Sequence, residues 1–363
     1  MRIGIVTQPL LANYGGYLQN YALQQVLRQM GHIPITIDVG NRISIFRFVI
    51  STIRSIIFYF HPKKRRHFAD FQQTRYNIRK EIFTAFLGAN ITKTEDFSRY
   101  RSCYVKRYAF DAVITGSDQV WRPKYNKYLE DMYLRFVCQK RVLKIAYAAS
   151  FGTDKWEYTE AQERRCRIYA RRLDAISMRE QSGVRLCKEH FEVDAVSVLD
   201  PTLLLEVHDY ELLCKDVPKR VPFIGAYILD VADDLRNQLE IMTRASALDV
   251  KIIEADAQSS ITVEEWVSTY RDAECIITNS FHGTVFSIIF NKPFVCLGNK
   301  DRGNDRFNSL LESLGLGGRM IEDITLIDDI MLQPIDWKHV NSILEEYRKM
   351  SKMFLFKALD GCS

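Results

Sequence analysis

A chain of 363 residues, 47% of them hydrophobic, exceeds what one hydrophobic core usually organises, so two domains are expected. The net charge of +5, from 50 basic and 45 acidic residues, lacks the strong polarity of a nucleic-acid binder and favours a small anionic ligand or an anionic surface. The eight cysteines form no C-x-x-C pair and no histidine stands at metal-ligand spacing, so reduced thiols are expected, with no metal site and no cofactor.

The first element, Arg2–Thr7, is a short apolar strand with no tripartite signal segment before it, and the cytoplasm is the expected compartment. Directly after it stand Asn13, Tyr14, Gly15, Gly16, Tyr17, Leu18 and Gln19, opening a helix that ends near Met30 with Gly31 as its stop. Glycines at a strand-to-helix turn let backbone N–H groups approach an anion or a sugar hydroxyl; a tight turn without a ligand is the alternative. The spacing is not G-x-G-x-x-G, so no dinucleotide is implied.

After the strand Ile33–Val39 comes Ile43–Phe60, ISIFRFVISTIRSIIFYF, interrupted by Arg47 and Arg54 and followed by the basic run Lys63–Arg66. A membrane span is not expected. Two readings fit: an interfacial helix on anionic lipid at the inner face of the cytoplasmic membrane, through about residues 43–66, or a buried helix whose arginine stems reach water.

The strand Phe110–Thr115 ends in Gly116, Ser117, Asp118, Gln119, Val120 and Trp121. Open α/β sheets place ligand crevices at such strand ends. Asp118 there suits an acceptor hydroxyl or a base and Trp121 suits a sugar face; a helix cap and a core residue are the alternatives. Strands Lys144–Ala148, Ala175–Met178 and Ala195–Leu199 follow, and Arg179 with Glu180 sits at the end of the second of them. Its guanidinium can grip a carboxylate or phosphate at two points, or form an ordinary surface ion pair.

After Asp200-Pro201 the pattern restarts, with strands at Phe223–Leu229, Val250–Ala255, Cys275–Thr278 and Phe294–Leu297. Strands spaced by helices imply parallel sheets built of βαβ units, an α/β class. Thr262 and Glu265 form a capping box ahead of Trp266. The polar cluster Thr278, Asn279, Ser280, Phe281, His282, Gly283, Thr284 opens an apolar helix, Val285–Phe290. His282 falls in the first helical turn, where the dipole stabilises a phosphate or a developing anion. Arg306 and Arg319, flanking a helix at Phe307–Leu314, extend the expected anion-binding wall. An amphipathic helix, Trp337–Leu359, closes the chain; no internal repeat or low-complexity tract is visible.

Taken in order, NYGGYLQNYALQ, GSDQVW, YAASFG, SMRE, DPTLLL, NSFHGTVFSIIFNKPF and RFNSLLESLGL resemble the polysaccharide pyruvyl transferase family from Gly4 to about Arg319. The resemblance implies a GT-B-like fold, two Rossmann-like domains facing across a cleft with a C-terminal helix that returns to the first. It sets the domains at residues 1–205 (acceptor side, with an insert at about 43–85), 206–335 (donor side) and 336–363 (closing helix).

It further implies pyruvyl transfer from phosphoenolpyruvate, as co-substrate, to a sugar of a surface or capsular polysaccharide or of its lipid-linked oligosaccharide precursor. His282 and Asp118 would be catalytic. Arg179, Ser280, His282, Gly283, Arg306 and Arg319 would hold the donor, and Asn13, Tyr14, Gly15, Gly16, Asp118, Gln119 and Trp121 the acceptor. One departure stands out: members carry an arginine two residues before the histidine, where this chain has Ser280. A sugar-nucleotide glycosyltransferase of the same fold and a non-catalytic scaffold in polysaccharide assembly are the alternatives.

Overall fold

The computed structural model describes residues 1–10, 13–39, 82–126, 128–229, 235–239, 241, 248–254, 261–298 and 304–361. Six strands, β1 (Arg2–Val6), β2 (Ile33–Thr36), β3 (Ala112–Thr115), β4 (Leu143–Ala149), β5 (Ala175–Met178) and β6 (Val196–Ser197), form one parallel sheet in the order β2-β1-β3-β4-β5-β6. Five more, β7 (Phe223–Ile228), β8 (Asp249–Glu254), β9 (Cys275–Thr278), β10 (Phe294–Leu297) and β11 (Met320–Ile321), form a second in the order β11-β10-β9-β7-β8. Every pairing in both sheets is parallel, so each connection is a crossover that lays chain over a sheet face. This is why the strands read in sequence as unbroken apolar runs: β3 and β7 are buried along their whole length.

The two sheets share a topological device. In the first, the chain moves from β1 outward to β2 and then crosses to β3 on the other side of β1. In the second, it moves from β7 to β8 and then crosses to β9. Crossovers that leave in opposite directions open a crevice beyond the carboxyl ends of β1 and β3, and of β7 and β9, the positions where such sheets bind ligands.

Local signals set the helices beside these crevices. Asn13 caps the helix Tyr14–Gln29, its side chain accepting from the Gly15 N–H at 3.1 Å. The Thr262–Glu265 capping box forms as its spacing predicts, with Glu265 N–H to Thr262 Oγ1 at 3.1 Å and Thr262 N–H to Glu265 Oε2 at 2.8 Å. That box seats Trp266, which stacks on Tyr14 at 5.5 Å between ring centres. One apolar cluster therefore runs from Ile3 and Leu18 of the first sheet's layer to Tyr227 and Phe286 of the second. The closing helix, Trp337–Asp360, returns to the first domain: Arg348 donates to the carbonyls of Leu203 (2.6 Å) and Leu205 (3.1 Å), and Ser351 Oγ accepts from Leu199 N–H at 3.0 Å.

Only Val196–Ser197 of the expected strand Ala195–Leu199 joins the sheet, because the chain turns at Asp200, which caps a short helical turn, Pro201–Leu204. The expected interfacial or buried helix at Ile43–Phe60, and the basic run after it, lie outside the described residues; of the insert, residues 82–90 are helical. Among the described residues no helix is long and apolar enough to cross a membrane.

Candidate active site

The strand ends of the first sheet deliver three charged groups to one place. At Gly116, after β3, φ is +120°, and an added Cβ would meet the Tyr147 carbonyl oxygen at 2.0 Å, so only glycine lets this turn pass so close to β4. The turn presents Ser117 and then Asp118, itself held at φ 75°, a conformation that costs a non-glycine residue on the order of 1 kcal/mol. After β5 stands Arg179, whose side chain is only 2% exposed. After β6 comes Asp200, and the two meet: Arg179 Nη1 donates to Asp200 Oδ2 at 2.9 Å, while Arg179 Nη2 lies 3.8 Å from Asp118 Oδ1.

Asp200 is a hub. Its Oδ2 also accepts from Ser117 Oγ at 2.8 Å, and its Oδ1 accepts from Thr202 N–H at 3.0 Å and Thr202 Oγ1 at 2.7 Å. Burial works to raise its pKa, but the charges of His282 and Arg179 and the Thr202 hydrogen bonds outweigh it and bring the carboxyl down to about 2. Glu180 turns away from its neighbour Arg179, accepting instead from the backbone N–H groups of Phe151 (2.9 Å) and Gly152 (3.2 Å).

The second sheet supplies the opposing wall. Asn279 Oδ1, just beyond β9, accepts from Leu229 N–H at 2.7 Å, tying the two sides of that crevice together. Ser280 caps the helix Phe281–Ile289 by accepting from Gly283 N–H at 3.3 Å. The helix is buried on every side, and its positive end points Phe281 and His282 at the first domain. His282 Nε2 lies 3.9 Å from Asp200 Oδ2, and its ring packs on Gly15. The guanidiniums of Arg179 and Arg306 both stand over the Phe281 ring, 4.7 and 5.5 Å from its centre.

Four nitrogens in this cluster are buried without a hydrogen-bond partner: Nε and Nη2 of Arg179, Nε of Arg306 and Nε2 of His282. Orphaned buried donors of this kind cost free energy, on the order of 1–3 kcal/mol each, unless something accepts from them. Burial first, then the nearby Arg179 charge, depresses Arg306 to about 10. Burial likewise lowers the His282 pKa, against the pull of Asp200. The arrangement is a buried cluster in which two guanidiniums and an imidazole keep unpartnered nitrogens beside the carboxylates of Asp118 and Asp200, and those nitrogens suit a ligand with more than one anionic group. Among the described residues, no group of three or more His, Cys, Asp or Glu side chains is placed to hold a metal ion.

The polysaccharide pyruvyl transferase family profile matches residues 13–301, which include Gly15, Asp118, Arg179, Asp200 and His282. The chain belongs to this family. No curated protein matches its sequence. Among solved structures it is similar to the UDP-N-acetylglucosamine 2-epimerase of Rickettsia bellii, with 10% identity over 99% of this chain and 97% of that one and a TM-score of 0.52. It is also similar to a glycosyltransferase from Rickettsia africae (13% identity, 98% of each chain, TM-score 0.45). A third is MurG of Acinetobacter baumannii (10% identity, 96% of this chain and 94% of that one, TM-score 0.43). The R. bellii likeness concerns the fold alone, and the GT-B-like architecture agrees with it.

In this polysaccharide pyruvyl transferase the structure gathers Gly15, Asp118, Arg179, His282 and Arg306 and corrects several expectations. Trp121 is fully buried, stacks on Tyr133 at 4.5 Å and donates its Nε1–H to the Met132 carbonyl at 3.1 Å, so it offers no face to a sugar. Tyr14 spans the two domains, its hydroxyl donating to the Ile261 carbonyl at 2.7 Å, and is interface rather than acceptor wall. Arg319 donates to the carbonyls of Ile330, Gln333 and Pro334, satisfying chain ends after the helix Ile327–Leu332, and does not join the donor wall.

Gln119 braces the turn, its carbonyl accepting from Gln8 Nε2 at 2.9 Å and its Oε1 from Arg122 Nη1 at 3.1 Å. Asn13 and Ser280 act as helix caps, Gly283 supplies the N–H that Ser280 receives, and a Cβ added at Gly16 would meet the Asn13 side chain at 3.8 Å. Asp200 was not among the expected site residues. An aspartate directly after an apolar run and before proline reads as a turn, and only the fold reveals its partners.

Proposed function

We propose that the chain transfers the pyruvyl group of phosphoenolpyruvate to two hydroxyls of one sugar, forming a cyclic ketal on a surface polysaccharide or its lipid-linked precursor. The observation that carries this reading is the group of four unpartnered buried nitrogens on Arg179, Arg306 and His282, at the junction of both sheets' crevices. Phosphoenolpyruvate carries a carboxylate and a phosphate, and two guanidiniums beside a helix N-terminus match that pair of anions. Arg306 supplies the cation that Ser280 lacks.

The chemistry then needs a proton, a base and charge compensation. His282, whose proton affinity rises once the anionic donor lies beside it, delivers a proton to the CH2 carbon. One acceptor hydroxyl adds to C2 and passes its proton to Asp118. The bond from C2 to the phosphate oxygen breaks, the phosphate leaving with the electron pair and taking that proton. The second hydroxyl adds to C2 and returns a proton to His282. One donor and two hydroxyls thus give one ketal and hydrogen phosphate.

The test is ligand-induced thermal stabilisation with phosphoenolpyruvate against a panel of sugar nucleotides, followed by phosphate release in the presence of saccharide acceptors. Stabilisation by phosphoenolpyruvate, lost in Arg179→Lys, supports the reading. Stabilisation by a sugar nucleotide in its place overturns it in favour of glycosyl transfer.

A further inference from the structure

We propose that Asp200 is a positioning residue that holds the protonated form of His282 across the domain junction, so that donor binding takes up a proton. The inference rests on the pyruvyl-transfer reading and deepens it. Its basis is geometric. Asp200 is bound to the first domain by Ser117, Arg179 and Thr202, so its carboxylate has no freedom to move. Its Oδ2 is 3.9 Å from His282 Nε2, a buried nitrogen with no partner of its own. His282 comes from the second domain, and its ring is fixed by contact with Gly15, so the fold rather than the side chains sets this spacing.

The charged groups facing His282 are Asp200 beyond β6, Arg179 beyond β5, Asp118 beyond β3 and Arg306 on the helix Asp305–Ser313. Two are anionic and two cationic, and the helix that bears His282 contributes no other charge. With no ligand anion on Arg179 and Arg306, the burial of the ring and then their repulsion favour the neutral form of His282. An anion seated on the two guanidiniums cancels that repulsion, and the fixed Asp200 carboxylate is left as the counter-ion of an imidazolium. The device resembles a carboxylate orienting a catalytic imidazole, with the difference that ligand charge triggers it.

Titration calorimetry of phosphoenolpyruvate in buffers of different ionisation enthalpy counts the protons exchanged. The wild type is expected to take up close to one proton near pH 7.5, and His282→Gln none. Asp200→Asn is expected to lose that uptake and to move the alkaline limb of the kcat profile, where the proton-donating His282 is lost, down by roughly one pH unit or more. Ser117→Ala, which removes a donor from the carboxylate and sharpens its charge, moves the same limb up and provides the check should Asp200→Asn fail to fold. Binding of phosphoenolpyruvate without proton uptake, or a Ser117→Ala profile identical to wild type, overturns the role of Asp200 and leaves pyruvyl transfer standing. Absence of phosphoenolpyruvate binding with binding of a sugar nucleotide overturns both.

Discussion

A Cβ atom on Gly15 would stand 2.0 Å from Nδ1 of His282, well inside contact distance. The first turn of a helix in one domain is thus the seat of an imidazole carried by the other, and the absence of a side chain at Gly15 is what lets the two domains meet there.

Gly15→Ala must therefore displace the imidazole or open the junction. A shift of about 1 Å at a reacting group costs on the order of a hundredfold in rate. Turnover should fall by ten- to a hundredfold while the melting temperature changes little, since alanine favours the helix that Gly15 opens. Steady-state kinetics beside a thermal melt decide it; unchanged turnover would show that the ring is not fixed by this contact.

Arg179 and Arg306 share the Phe281 ring but differ in what they leave behind. Among the described residues Arg306 has no carboxylate partner, and the fall of its pKa from 12.5 to about 10 corresponds to about 3 kcal/mol against the charged form in the fold. Arg306→Met should raise the melting temperature and weaken phosphoenolpyruvate binding. Arg179→Ala should weaken binding too but lower stability by about 3–5 kcal/mol, because it strands a buried aspartate. Urea denaturation of both variants tests the opposite signs, and a destabilised Arg306→Met would mean that the cation has a structural partner.

How far the sequence reaches is visible in these residues. The strands, the Thr262 box and the end of the first helix follow from local periodicity and caps, so their bounds agree with the apolar runs within three residues. His282 and Arg179 are legible because a polar group beyond an apolar strand falls at a crevice. Trp121, Tyr14 and Arg319 invite the same reading, yet each is consumed by a carbonyl or a stacked ring, 11 residues further on for Trp121 and Arg319 and 247 for Tyr14. Asp200 fails in the other direction, since its importance lies wholly in Ser117, Arg179 and His282, which lie up to 83 residues away in the chain. Partner identity at long range is what single-sequence reasoning does not contain.

Tyr14 offers a clean check of the interface assignment. Its hydroxyl donates to the Ile261 carbonyl across the junction, and a buried hydrogen bond of this kind contributes about 1 kcal/mol. Tyr14→Phe keeps the ring against Trp266 and should lower stability by about that amount with the acceptor KM unchanged. A raised acceptor KM with unchanged stability would return Tyr14 to the acceptor wall.

Acid stability reports on Asp200. Its carboxyl titrates at about 2 in the fold against 3.8 in an unfolded chain, a difference worth about 2 kcal/mol. Because the folded value is the lower one, this stabilisation is fully present above pH 4 and disappears as the pH falls through 2. His282 acts at higher pH: its folded pKa is depressed, so the unfolded chain takes up its proton first and stability already declines below about 6.5. Wild type and Asp200→Asn should consequently both lose stability below pH 6.5, the variant at least as steeply because His282 has lost the carboxylate that favours its charged form, and the gap should narrow between pH 4 and 2, where only the wild type has Asp200 to protonate. Urea midpoints across both windows measure this, and a constant gap down to pH 2 would mean that Asp200 draws no stability from its ionised form.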